Sequence, residues 1–409
     1  MSDVQSMSLP PASAPRFTRL RLVLGSGFRV FFLGAAIYAI VSMLAWSAWI
    51  AGQASGGGWP GFAVAPLPQH WHAHEMIFGY AGAVLGGFFL TAVPSWTGTP
   101  EARARFVAAA AAIWLAGRIA LWFSGLLDPV LVAVADLAFL PILGLKIAVQ
   151  LAKRPKPQNV MLLGLLAIVW GGNLMTHLEW TGVLENGAAP GLRMGLLGVA
   201  AVIAVVGGRV TPAFTRNALR ASGEETRLPV SRRPVEAAAV AAVILTPLLA
   251  GAGAPGWLAG AAALIAGAAL ALRLAGWRGA LVLDRPILWS LHLGFGMLAA
   301  GYLALGLAWL GLLPESAALH LLGIGAVGGM TVAVMSRASL GHTGRALVAP
   351  RPVAWAYGLV AGSAILRVAA SWGGAGWYFG ALGGAALLWL LAFGLFLLAL
   401  APVLTRPRL

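Results

Sequence analysis

The chain has 409 residues, 60% of them hydrophobic and only 10% charged, with a net charge of +15. A soluble globular domain carries about 25% charged residues, so that class is excluded, and a bilayer is the solvent that accepts this much apolar surface. The positive charge sits in short separators between apolar runs and not on a basic arm or helix face, which excludes a nucleic-acid partner.

A spanning helix needs roughly 20 apolar residues. In chain order such runs predict helices over 28–50, 72–93, 106–125, 129–150, 159–181, 191–211, 233–251, 255–276, 286–311, 316–337, 351–372 and 376–403. The expectation is an all-α, polytopic protein of about twelve transmembrane helices in a lipid bilayer. Its tail would be 1–26, its single membrane domain 27–405 and its end 406–409. No small-residue cleavage site follows the first run, which reads as a retained helix and not a signal peptide. Turn chemistry marks the separators: Gly56-Gly57-Gly58-Trp59-Pro60, Asp128-Pro129, Lys153-Arg154-Pro155-Lys156-Pro157, Gly253-Ala254-Pro255-Gly256 and Leu313-Pro314. The longest gap, 212–232, leaves no room for a soluble domain.

Lysine and arginine alternate strictly between separators. The even-numbered ones hold Arg103 and Arg105, then Lys153, Arg154 and Lys156, then Arg216, Arg220, Arg227, Arg232 and Arg233, then Arg278 and Arg285, then Arg345 and Arg351. Arg16, Arg19 and Arg21 precede helix one and Arg406 and Arg408 follow helix twelve, whereas the odd separators hold only Arg193. Positive residues stay inside, so both termini are read as cytoplasmic. Helices two, six and ten are all glycine-rich and all run inward, four apart, which is compatible with a threefold repeat or with ordinary close packing of membrane helices.

Ionisable residues at membrane depth are costly and point to function. His70, His72, His74 and Glu75 open helix two on the outer side, Arg118 and Asp136 lie slightly deeper on helices three and four, and His177 and Glu179 close helix five. His320 begins helix ten and Arg367 ends helix eleven, so these dispersed residues share one outer layer. Arg209, His292 and Arg337 lie toward the inner side, and His342 falls in an inner loop. Simpler readings exist: Arg118 and Arg367 would snorkel, and Asp136 would pair with Arg118 in a structural ion pair. Three histidines within five residues are harder to dismiss, and His70 and His74, one turn apart, share a helical face suited to a metal.

With no cysteine in the chain, thiolate ligation is excluded, leaving imidazole, methionine and carboxylate for zinc, copper or haem iron. A haem held between helices needs one histidine from each at matched depth, with small residues beside the ring. His74 with Gly79, Gly82, Gly86 and Gly87, and His320 with Gly323, Gly325, Gly328 and Gly329, meet that need. Arg118 and Arg367 lie at the depth of its propionates.

The segments His72-Ala-His-Glu-Met-Ile-Phe-Gly79 with Gly87-Phe-Phe-Leu-Thr-Ala-Val-Pro-Ser-Trp-Thr-Gly98, Gly207-Gly-Arg-Val-Thr-Pro-Ala-Phe-Thr-Arg-Asn217 and Met330-Thr-Val-Ala-Val-Met-Ser-Arg-Ala-Ser-Leu-Gly-His-Thr-Gly-Arg345 resemble the NnrS family of bacterial membrane proteins. The resemblance implies a protein of the bacterial cytoplasmic membrane that contains haem b and copper, is made in response to nitric oxide, and protects against nitrosative stress. Copper would then use His70, His72 or His177, and the partners would be nitric oxide and a quinol or periplasmic electron donor. A transporter of a metal or metal–nitrosyl species is the alternative, supported by proline-broken helices at Pro94, Pro141 and Pro212. A looser analogy is to the haem–copper oxidases, which set twelve helices in arcs of four with a haem between helices two and ten. Helices six and seven hold no histidine here, so their copper site has no counterpart.

Overall fold

The computed structural model describes residues 16–57 and 63–409. Gly58, Trp59 and Pro60 of the first expected turn, and residues 1–15 of the expected tail, lie outside them. After a short helix, Arg16–Leu24, twelve helices are long and apolar enough to cross a membrane. They are α1 (Gly27–Ala54), α2 (Pro68–Thr97), α3 (Ala104–Trp122), α4 (Pro129–Leu151), α5 (Pro157–Trp180), α6 (Ala188–Ala221), α7 (Arg233–Gly251), α8 (Gly256–Ala275), α9 (Pro286–Trp309), α10 (Glu315–His342), α11 (Arg351–Trp372) and α12 (Gly376–Leu404). There is no strand among the described residues. The all-α, twelve-span reading therefore holds, and an even number of spans returns both chain ends to one side.

Local chemistry explains several boundaries and corrects others. Asp128 caps α4 by accepting from the backbone N–H groups of Val130 and Leu131 at 2.9 and 3.2 Å, with Pro129 in the first helical position. Helix six, expected to stop at residue 211, runs to Ala221 through Pro212. A proline lacks the N–H that would engage the carbonyl four residues earlier. Here the carbonyl of Gly208 instead accepts from Arg273 Nη2 of α8 at 3.0 Å. Pro141 of α4 is treated the same way: Trp170 Nε1 of α5 donates to the freed carbonyl of Leu137 at 3.1 Å, where α4 is briefly interrupted. His342, expected in a loop, is the last residue of α10, its ring 5.4 Å from that of Phe28. Near this end the hydroxyls of Ser336 and Thr343 bond back to the carbonyls of Val332 and Ser339.

Neighbouring helices pack in three arcs of four: α11–α12–α1–α2, α3–α4–α5–α6 and α7–α8–α9–α10. The last member of each arc turns inward, so α2, α6 and α10 touch one another at the centre. These are the three glycine-rich helices spaced four apart. Glycine lets them approach: a Cβ on Gly195 of α6 would come within 2.6 Å of Phe78 Cε1 on α2, and one on Gly207 within 2.8 Å of Met330 Cε on α10. Between α2 and α10 the hydroxyls of Tyr80 and Thr331 share a 2.5 Å hydrogen bond. Large apolar side chains such as Leu115, Ile119, Leu145, Ile265 and Leu398 are exposed on the perimeter, where lipid would cover them. The circle closes where buried Arg29 of α1 donates to the carbonyls of Leu404 and Arg406 at 2.6 and 2.8 Å.

Candidate functional site

The sequence places seven candidate ligands in one layer at the end of the bundle opposite the arginine-rich loops. The structure keeps them there and divides them into two neighbouring sites. Both centre on π-helical turns, rare widenings of a helix that occur frequently at functional positions. In α2 the turn is Glu75–Ala81, directly after His74, and in α10 it is Leu321–Gly328, directly after His320.

The first site is a cavity of about 490 Å³ between α1, α2, α6, α10, α11 and α12. That lies within the roughly 300–1,000 Å³ range of sites for small molecules and cofactors. His70, His72, His320 and Arg367 line it, together with Arg193, the basic residue of the odd-numbered separators. His320 Nδ1 donates to the Ser316 carbonyl at 2.7 Å. That fixes the tautomer and leaves Nε2 with a free lone pair, the arrangement found behind metal-bound imidazoles. His72, which lines the same cavity, stacks flat on Trp46, with ring centres 4.4 Å apart and planes 12° apart. Its Nδ1 has no hydrogen-bond partner among the described residues. Arg367 donates through Nη2 to Ser316 Oγ at 2.9 Å, while its Nη1 has no partner. Arg193 is held by a two-bonded fork on Glu315, both contacts 2.7 Å. A Cβ on Gly323 would meet nothing within 4 Å, so this wall opens directly onto the space.

The second site is a closed polar knot among α2, α3, α4 and α5. His74, Glu75, Arg118, Asp136, Asn173 and His177 meet there, all buried. Arg118 joins both Glu75 and Asp136, so the ion pair expected between Arg118 and Asp136 is present. Asp136 Oδ2 also accepts from Asn173 Nδ2 at 2.7 Å and lies 2.9 Å from His177 Nε2 and 3.2 Å from His74 Nε2. His74 Nδ1 lies 3.1 Å from Glu75 Oε1, and its Nε2 lies 2.8 Å from Asn173 Oδ1. A tetrahedral ion bound at roughly 2.0–2.1 Å holds its ligand atoms about 3.3 Å apart. Donor atoms of His74, Asp136 and His177 all lie within 4.8 Å of one another, close to that spacing. Two carboxylates against one guanidinium leave the knot negative when its imidazoles are neutral, which suits a cation.

His74 therefore sits with Arg118 and His177, while His320 lines the cavity with His72 and Arg367. Asn173 carried no signal in the sequence: its role depends on the rotation of α5, which brings it and His177, four residues on, to the same carboxylate. Residues inside this apolar shell bind to one another because no water competes, so a satisfied network fixes their geometry.

The family model for the NnrS protein matches residues 22–408, almost the entire chain. No curated protein matches it.

Proposed function

Because the chain belongs to the NnrS family, we propose that it is a haem- and copper-binding protein of the bacterial cytoplasmic membrane that binds nitric oxide within the nitric oxide response. Two sets of donors support this reading. The cavity suits haem b: His320 of α10, with its Nε2 freed by the Ser316 bond, and His72 of α2 both line it. Open space at Gly323 admits a flat ring, and the unpartnered Nη1 of Arg367 is available to a propionate. The knot suits a single copper ion on His74, His177 and Asp136. A bound haem iron would supply a coordination position for a small uncharged gas that partitions into the bilayer. The protein would supply orientation and water exclusion, and a difference in grip. His320 is anchored by a hydrogen bond, whereas His72 is held by ring stacking and is the weaker anchor.

The observation that carries the reading is that the tautomer-fixed His320 and His72, from two helices, line one cofactor-sized cavity. Protein purified from haem-replete cells is expected to show a Soret band and a low-spin reduced-minus-oxidised spectrum, altered in His320→Ala and His72→Ala. Absence of haem, or unchanged spectra in both variants, overturns it. A transporter of a metal or metal–nitrosyl species is the second reading, favoured by the π-helical turns and by the prolines inside α2, α4 and α6. Metal uptake into liposomes by haem-free protein would select it.

A further inference from the structure

At the opposite end of the bundle lies a second cavity, of about 230 Å³, built where α6, α7 and α8 converge. Gly208, Arg209 and Arg216 of α6 line it, with Ser231 and Glu236 at the start of α7 and Arg273 near the end of α8. Three arginines thus line one space beside a single carboxylate, and that carboxylate stands 4.0 Å from Arg273 Nη2, at the limit of an ion pair. Neutral acceptors hold the cations in place. Arg209 donates to the Gln158 carbonyl at 2.7 Å, Arg216 to the Pro229 carbonyl at 2.9 Å, and Arg273 to the Gly208 carbonyl at 3.0 Å. Arg273 is only 7% exposed, and its Nε has no partner among the described residues.

One role of Arg273 is structural, since it satisfies the carbonyl that Pro212 sets free. That role accounts for neither the convergence of Arg209 and Arg216 on the same space nor the orphaned Nε. It also leaves unexplained why three like charges are gathered around one space, where they repel one another. Gly208 makes room for the cluster, because a Cβ there would come within 2.6 Å of the Arg273 guanidinium carbon. A guanidinium fork recognises planar or tetrahedral oxyanions through paired N–H donors and is only weakly hydrated. An anion would meet the unused donors and offset the surplus positive charge.

We propose that the Arg209–Arg216–Arg273 pocket is an anion site for a small oxyanion group of the nitrite, nitrate or phosphate kind. Such a group can arrive as a free ion or as the phosphate of a lipid headgroup. The proposal is independent of haem or copper at the other end.

The test uses the full-length protein in uncharged detergent. Thermal unfolding is followed while sodium nitrite, nitrate or phosphate is titrated against sodium chloride at equal ionic strength. In a second arm the protein is placed in nanodiscs of phosphatidylcholine with or without phosphatidylglycerol. A ligand that binds the folded state alone stabilises it in a saturable way. Saturable stabilisation by a soluble oxyanion supports a free ion, and stabilisation by phosphatidylglycerol alone supports a headgroup. In either case the apparent affinity should fall at least tenfold in Arg209→Gln and Arg216→Gln. It should rise in Glu236→Gln, which removes the competing carboxylate. These three variants leave the bond from Arg273 to Gly208 in place, and an unfolding temperature near that of wild type in chloride alone checks that they fold. No response beyond the chloride control in either arm, or the same response in wild type and both arginine variants, overturns the proposal.

Discussion

Asp136 is the residue on which most of the buried polar knot converges, binding Arg118, Asn173, His74 and His177 together. Truncating one partner of a buried ion pair commonly costs about 3–5 kcal/mol, because the other charge is left stranded in an apolar medium. Asp136→Asn is therefore expected to lower the unfolding temperature strongly. His177→Ala separates structure from ligation, since it leaves Arg118 between Glu75 and Asp136 and removes one candidate donor. The expected result is a protein that unfolds within a few degrees of wild type while its bound copper, measured by elemental analysis, falls. Copper at the wild-type level would end the assignment of His177. The histidines themselves were legible in the sequence as one layer. Their division into two sites was not, because His72 and His74 project roughly 200° apart around a helix and only packing decides which neighbour each meets.

Elements of this protein are shaped by prolines whose consequences are repaired elsewhere in the chain. The Leu137 carbonyl freed by Pro141 accepts from Trp170, at a separation of 33 residues. Trp170→Phe should cost about 1 kcal/mol, the net worth of one hydrogen bond. In a Pro141→Ala background, where the backbone N–H returns, the same change should cost less, and a double-mutant cycle by chemical denaturation reads the difference. Equal costs in the two backgrounds would show that Trp170 does not serve the freed carbonyl. Such repair also explains the misplaced end of helix six. Pro212 reads as a stop, and the arginine that makes it tolerable lies on α8. Between α6 and α7, the Glu224 carboxyl accepts from the Thr226 hydroxyl at 2.6 Å and from the Arg227 and Thr226 N–H groups at 3.0 Å each, with Arg227 Nε at 2.7 Å. These donors, the Thr226 hydroxyl foremost, hold its pKa down from 4.5 to about 2. A depressed carboxyl pKa stabilises the folded loop above the unfolded value and is lost on acidification. Amide protection at Thr226 and Arg227 should thus be full at pH 6 and decline between about 4.5 and about 2, a dependence that Glu224→Gln should abolish.

Across the whole molecule, hydropathy alone gives the number and order of spans because a bilayer forces each crossing to be a helix. The arcs depend on side-chain packing, and the sequence hints at them only through the glycines of α2, α6 and α10. Orientation rests on loop charge and can be tested directly, since the natural chain contains no cysteine. Glu185→Cys, after α5, should react with a membrane-impermeant thiol reagent in spheroplasts. Glu225→Cys, after α6, should react only once the membrane is opened. The reverse pattern would invert the assigned topology.

The bonds from Arg29 to the carbonyls of Leu404 and Arg406 tie the last spanning helix to the first. Trp46 and Trp49 of α1 share the first cavity's wall with Tyr378, Leu382 and Trp389 of α12. That wall is therefore complete only when the last helix is docked beside the first, so a chain truncated before α12 would lack one side of the cavity.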